Sequence, residues 1–168
     1  MAVELIRIDD RLIHGQVIVG WVPITKADVI ICINDTVASN EMQKCLMKMA
    51  VPPNLQAMIY SVDGFNLTQD SAEITEHRVI IIVTNPADLV RLFNKGFKFD
   101  RVNLGGMRHS VNKKEYSKSV FLNEKDIADF NELKKLGVKV FYQMVPADKP
   151  LDLFECLLKG ACSTDKKD

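Results

Sequence analysis

Apolar and polar positions alternate along the chain in blocks that read as strands and helices by turns. Val3 to Ile8 is a short apolar run that predicts a strand. A helix is expected from about Gly15 to Val22, with Pro23 as its stop. Ala27 to Ile33 is almost continuously apolar, as suits a central strand covered on both faces. Asn34-Asp35-Thr36 supplies turn and cap residues, and a helix is expected from about Ser39 to Met49, stopped by Pro52-Pro53. In it Met42, Cys45, Leu46 and Met49 fall at i, i+3, i+4, i+7. Such a stripe could mark a soft metal or an adaptable groove, but helical spacing favours ordinary core packing.

The pattern continues in the second half. Leu55 to Tyr60 predicts a third strand, and Asp63 is placed to cap a short helix over Gly64 to Ile74. His77 to Val83 is the strongest strand signal. Asn85-Pro86 pairs a cap residue with proline at the first helical position, opening a helix to Lys95 with Gly96 past its end. Phe99 to Leu104 predicts a strand closing on Gly105-Gly106. Met107 to Lys118 is polar and reads as a surface loop, followed by a short strand at Ser119 to Leu122. Asn123 with Asp126 forms a capping arrangement for a helix to Leu136, stopped by Gly137. Val138 to Met144 is a last strand, Pro150 opens a final helix to about Lys159, and Ser163 to Asp168 is a polar tail expected to be flexible.

Strands alternating with helices of some ten residues imply crossover units. The expected architecture is an α/β fold with an open, mostly parallel sheet and helices on both faces. One domain over residues 1–162 is expected, with a flexible tail over 163–168. Ligands of such sheets bind beyond the carboxyl ends of the strands. The turns at Asp35, Ser61, Thr84 to Pro86, Gly105-Gly106 and Met144 to Pro146 should therefore surround the turn after the first strand.

That turn, Ile8-Asp9-Asp10-Arg11-Leu12-Ile13-His14-Gly15-Gln16-Val17, holds the chemistry. The first N–H groups of a helix are unpaired and, with the macrodipole, favour an anion. A neutral imidazole at His14 could attack phosphorus, with the N–H groups near Gly15 and Gln16 meeting the phosphoryl oxygens. Arg11 adds a planar fork suited to phosphate. One of the adjacent carboxylates could orient the ring, and Asp10 is assigned that task. Equally, His14 could be a structural histidine at a helix start, and either aspartate only a turn cap. Asn85, Gly105 and Gly106 are placed on the site rim, paired glycines allowing close approach of backbone to a ligand. His77 reads as structural, and Arg108 and His109 are left out of the site.

Composition narrows the classes. Lysine plus arginine and aspartate plus glutamate each number 22, leaving no basic excess for nucleic acid. No apolar run approaches the roughly 20 residues that span a bilayer, so no membrane insertion is expected. The first residues lack a signal-peptide pattern, which predicts a cytoplasmic protein. Cys32, Cys45, Cys156 and Cys162 form no C-x-x-C pair or metal spacing and read as reduced core thiols, so no metal and no cofactor is expected. Neither a dinucleotide fingerprint nor a P-loop is present.

The run Arg7 to Val17 resembles the signature of the IIB component of the mannose/fructose/sorbose family of the sugar phosphotransferase system. The strand ending Asn103-Leu104-Gly105-Gly106-Met107 and the turn Thr84-Asn85-Pro86 resemble further motifs of that family, and the likeness runs from Ile6 to about Leu158. The resemblance implies that one strand near the sheet edge runs antiparallel. It implies that His14 accepts a phosphoryl group on its δ nitrogen from phosphorylated IIA. It also implies that His14 passes the group to a sugar held by the membrane components IIC and IID, so that the protein works at the inner face of the membrane. The rival expectations are a module binding a phosphometabolite or flavin without covalent chemistry, and a small hydrolase or isomerase using His14 as base.

Overall fold

The computed structural model describes residues 2–66 and 76–162. Seven strands form one sheet, in the order β3-β2-β4-β1-β5-β8-β9. They are β1 (Ala2–Asp9), β2 (Val29–Ile33), β3 (Gln56–Tyr60), β4 (Arg78–Val83), β5 (Arg101–Gly106), β8 (Lys139–Tyr142) and β9 (Leu151–Asp152). All pairings in this sheet are parallel except β8 with β9, which is antiparallel and lies at the edge. A hairpin of β6 (Lys114–Ser117) and β7 (Val120–Leu122) stands apart as a second small sheet.

The central strands are apolar on both faces because both faces are covered. Ile31, Ile81, Ile8, Val102 and Val140 pack with Leu89 and Leu92 of α4 (Pro86–Asn94), Phe130 and Leu133 of α5 (Glu124–Lys135), and Phe154 of α6 (Leu153–Lys159). On the other face Ile30, Cys32, Ile80 and Ile82 pack with Val17, Trp21 and Val37. Burying each such side chain contributes about 1.5–3 kcal/mol.

Caps follow the expectations. Asn85 accepts from Asp88 N–H, with Pro86 in the first turn of α4. Asn123 and Asp126 form a reciprocal capping box on α5.

Several expectations are corrected. The helix after β1 does not stop at Pro23. It runs through a π-helical turn, Val17–Trp21, into α1 (Val22–Thr25) and ends at Lys26 in the left-handed region. Proline lacks an N–H, and the widened turn ahead of it lets the helix carry Pro23 in the first turn of α1. The helix expected from Ser39 to Met49 forms as α3 (Glu41–Met49), capped by Asn40, while the expected turn before it holds a separate one-turn helix, α2 (Asp35–Ala38), capped by Asn34. The apolar stripe of α3 is outside the core: Met42 is 74% exposed, Leu46 60% and Met49 76%. Cys45 is exposed with them.

The expected loop over 107–118 contains β6, with Tyr116 buried, and Met107 bridges to Val120. Pro150 does not open the last helix. Leu151 pairs with Tyr142 in the sheet, and Asp152 caps α6. The helix expected over 64–74 falls mostly on residues 67–75, and it and the tail 163–168 lie outside the described residues.

Candidate phosphoryl-transfer site

β1 is at the centre of the sheet, with β4 on one side and β5 on the other. The chain leaves β1 toward β2 on one side, whereas β5 leads to β8 on the other. This is where a crevice opens beyond the carboxyl ends of the strands. The turn after β1 fills it. Leu12 adopts a left-handed backbone (φ 55°), and its N–H bonds Asp9 C=O at 3.0 Å. Such a conformation is costly for a residue with a side chain. Burial of Leu12 and Ile13 in the core holds it in place.

The turn brings His14 back over Asp9. Nε2 of His14 lies 2.9 Å from Oδ2 of Asp9. Asp9 is fully buried, and a buried carboxylate is an acceptor, so Nε2 carries a proton, and in the neutral ring the lone pair lies on Nδ1. Nδ1 has no hydrogen-bond partner among the described residues, and the ring is 17% exposed. The carbonyl of His14 accepts from the N–H groups of Val17 and Ile18, which places His14 at the head of the helix.

Five donors converge on Asp9. Nε and Nη2 of Arg7 donate to Oδ2 at 3.2 and 3.0 Å, alongside His14. The backbone N–H of Arg11 donates to Oδ1 at 3.2 Å, and its Nε lies 3.5 Å from the same oxygen. Burial pushes the Asp9 carboxyl up. The His14 hydrogen bond and the Arg7 charge outweigh it and leave the group below its ordinary value. Burial likewise pulls the Arg7 guanidinium down, with Asp9 opposing.

The orienting carboxylate is therefore that of Asp9, a correction to the assignment of Asp10. Successive strand residues point to opposite faces. Asp10 instead accepts from the backbone N–H and Nε of Arg108, at 2.8 and 2.9 Å. Arg11 is half exposed and donates from Nη2 to Oε1 of Gln16 at 3.2 Å. A cleft of about 230 Å³ opens here, lined by Arg11, Gln16, Arg108, His109 and Lys118 among others, so Arg108 and His109 do reach the site rim. A wider groove of about 540 Å³ adjoins it, sharing Arg11 and Arg108 and reaching Asn34, Thr84 and Leu46.

Of the other rim residues, Asn85 spends its side chain capping α4 and on Thr84, and Thr84 is the one that lines the groove. Gly106 accepts the Asp10 N–H at 3.2 Å, tying the ends of β1 and β5 together. Gly105 makes room for Arg7 and not for a ligand: a Cβ there would lie 1.9 Å from the guanidinium carbon. Arg7 itself went unread in the sequence. A charge inside an apolar strand, with an acid two residues on, was the available signal.

The family described as "PTS system sorbose subfamily IIB component" matches residues 3–168. The chain belongs to this family of IIB components. Among similar proteins, the sorbose-specific EIIB component of Klebsiella pneumoniae is 34% identical over 155 residues, 92% of this chain and 94% of that one. The fructose-specific EIIB component of Bacillus subtilis is 35% identical over 157 residues, 94% and 96% of the two chains. The mannose-specific EIIAB component of Escherichia coli is 34% identical over 159 residues, which is 95% of this chain and 49% of that longer one. The crystal structure of the IIBSor domain of the Klebsiella sorbose permease has TM-score 0.88 at 34% identity, covering 96% of this IIB chain and 99% of that one. The open, mostly parallel sheet with its antiparallel edge strand is the fold of these IIB domains. As a IIB component the protein is a phosphotransferase of sugar transport in the general sense. No helix among the described residues is long and apolar enough to cross a membrane.

Proposed function

We propose that His14 is the phosphoryl carrier of this IIB component. It accepts the group from phosphorylated IIA and passes it to a sugar held by membrane components IIC and IID. The observation that carries the reading is the 2.9 Å contact of His14 Nε2 with buried Asp9, which leaves Nδ1 as the nucleophilic nitrogen. Nδ1 attacks the phosphorus in line, the P–N bond to the donor imidazole breaks, and that ring leaves as a neutral base. In the second step a sugar hydroxyl attacks. The P–N bond to His14 breaks and the hydroxyl proton passes to solvent or to a base beside the sugar. Arg11 and the N–H groups of Gly15 and Gln16 stabilise charge on the equatorial oxygens. The donor phosphoramidate supplies the driving force, so the reading needs no metal or nucleotide. Partner contacts are small and transient, because two partners must meet the same site in turn. The protein then works in the cytoplasm, at the inner face of the membrane.

The test is intact-mass spectrometry after incubation with phosphoenolpyruvate, enzyme I, HPr and a matching IIA, followed by peptide mapping. One acid-labile, alkali-stable phosphoryl group on His14, dependent on IIA, is expected. His14→Ala removes it with the fold intact, and Arg11→Ala slows its formation by about tenfold or more. Phosphorylation elsewhere, or none with a IIA that phosphorylates a related IIB, overturns the reading in favour of a non-covalent phosphometabolite module.

A further inference from the structure

Arg7 has no role in the transfer just described, yet it is among the largest fully buried side chains of the described residues and is charged. Besides its two bonds to Asp9, Nη1 donates to Oδ1 of Asn103 and to the carbonyl of Gln143 at 3.2 Å. Nη2 donates to the carbonyl of Met144 at 3.1 Å. The Trp21 ring lies 5.3 Å from the guanidinium and donates its own N–H to the same Met144 carbonyl. The guanidinium is thus fixed from β1, β5, the end of β8 and the π-helical turn.

This arrangement answers a problem in the chemistry. A lone buried carboxylate against an imidazole favours the charged ring, and an opposite charge at this range moves a titration by about 1–3 pH units. An imidazolium has no lone pair on Nδ1 and cannot attack phosphorus. Asp9 could hold the ring in place and silence it by the same contact. Arg7 cancels the Asp9 charge from the side away from solvent, while leaving Oδ2 as a hydrogen-bond acceptor.

We propose that Arg7 is a positioning residue for phosphoryl transfer: by neutralising and fixing Asp9, it keeps His14 uncharged with its lone pair on Nδ1. The proposal rests on His14 being the phosphoryl acceptor. The other charges around the ring are Arg11 from the same turn, the Asp10–Arg108 pair across the ends of β1 and β5, and His109 and Lys118 beyond it on the cleft wall. None of these donates to Oδ2 of Asp9.

The sign is definite. Removing the Arg7 charge leaves Asp9 free to favour the imidazolium, so the His14 titration in Arg7→Met moves upward. Removing the Asp9 charge alone, in Asp9→Asn, leaves Arg7 unopposed and moves it downward. Arg7→Met with Asp9→Asn removes both charges and returns it toward the wild type. Arg7→Lys keeps the charge and loses the fork, so the titration moves little while the ring is held less well.

The experiment is an NMR titration of the full chain, labelled with ¹⁵N and ¹³C in histidine, together with the pH profile of phosphoryl uptake from IIA. Arg7→Met is expected to raise the His14 midpoint by about 1–3 pH units and to move the acidic limb of the rate profile with it. Once the midpoint lies above the assay pH, the rate falls about tenfold for each further pH unit by which it rises. Should Arg7→Met fail to fold, Asp9→Asn and the double variant carry the same comparison. A folded Arg7→Met titrating with the wild type, or a double variant that stays at the Asp9→Asn value, overturns the proposal. The titration needs no phosphoryl transfer. An unphosphorylated protein whose titration still moves as stated counts against His14 as carrier and leaves the electrostatic role of Arg7 standing.

Discussion

A single methyl group at Gly105 should dislodge the charged cluster under His14. A Cβ built there lies 1.9 Å from both Cζ and Nη2 of Arg7 and 2.5 Å from Nη1. Non-bonded carbons rest at about 3.5 Å or more, so the guanidinium must retreat by about 1.6 Å. Its bonds to Asp9, Gln143 and Met144 are 3.0–3.2 Å long and do not survive such a move. Separating a buried ion pair costs about 3–5 kcal/mol. Against this, alanine in a strand is favoured over glycine by about 0.5–1 kcal/mol. The packing term wins, and Gly105→Ala should be destabilised by about 2–4 kcal/mol, a large share of the roughly 5–15 kcal/mol that holds a domain together.

Urea unfolding followed by far-UV circular dichroism and by the fluorescence of Trp21, the one tryptophan in the chain, measures this directly. Gly15→Ala is the internal control. A Cβ at Gly15 meets nothing within 4 Å, so the change should be neutral or slightly stabilising. Equal stability of Gly105→Ala and wild type would refute the view that the glycine exists to admit Arg7. The pair would then have to be explained by the backbone alone.

Three further outcomes are expected. Native protein treated with iodoacetamide near neutral pH should be modified at exposed Cys45, whereas Cys32, whose thiol burial pushes up to about 12, and buried Cys156 and Cys162 react only on unfolding; prompt labelling of Cys32 would contradict its burial. Leu46→Ser in α3 should change stability by no more than about 0.5 kcal/mol, against about 2–5 kcal/mol for Leu89→Ala at a fully buried position, and similar urea midpoints for the two would contradict the outward stripe. Asp9, Asp28 and Asp35 are all held below their ordinary values, Asp9 despite its burial and the other two chiefly by His77 and Arg91. A lowered carboxylate adds stability above its unfolded value and loses it as pH falls through the folded one. The urea midpoint should therefore drop between about pH 4 and pH 2, and a flat profile there would exclude these contacts as contributors.

What the sequence made legible was each element's own chemistry; what it hid was which element faces which. The apolar run at Ala27–Ile33 suits a central strand and His77–Val83 is the strongest strand signal, and they form β2 and β4, both inside the sheet. The stripe of α3 has the period of a buried helix face, but a period reports that a face is apolar and not what lies against it. Here Met47, between the stripe residues, turns toward the core, and Met42, Leu46 and Met49 turn away. The same gap explains Asp9 and Asp10. Both were visible as acids beside His14, but strand alternation puts Arg7 and Asp9 on one face, whereas Asp10 lies past the end of β1 in the turn. β1 thus contains its own constraint. A charge buried at position 7 demands a counter-charge, and Asp9, two residues on, supplies it on the same side. The turn then needs only to bring His14 back over that carboxylate, and the 2.9 Å contact follows from the strand's period as much as from the turn.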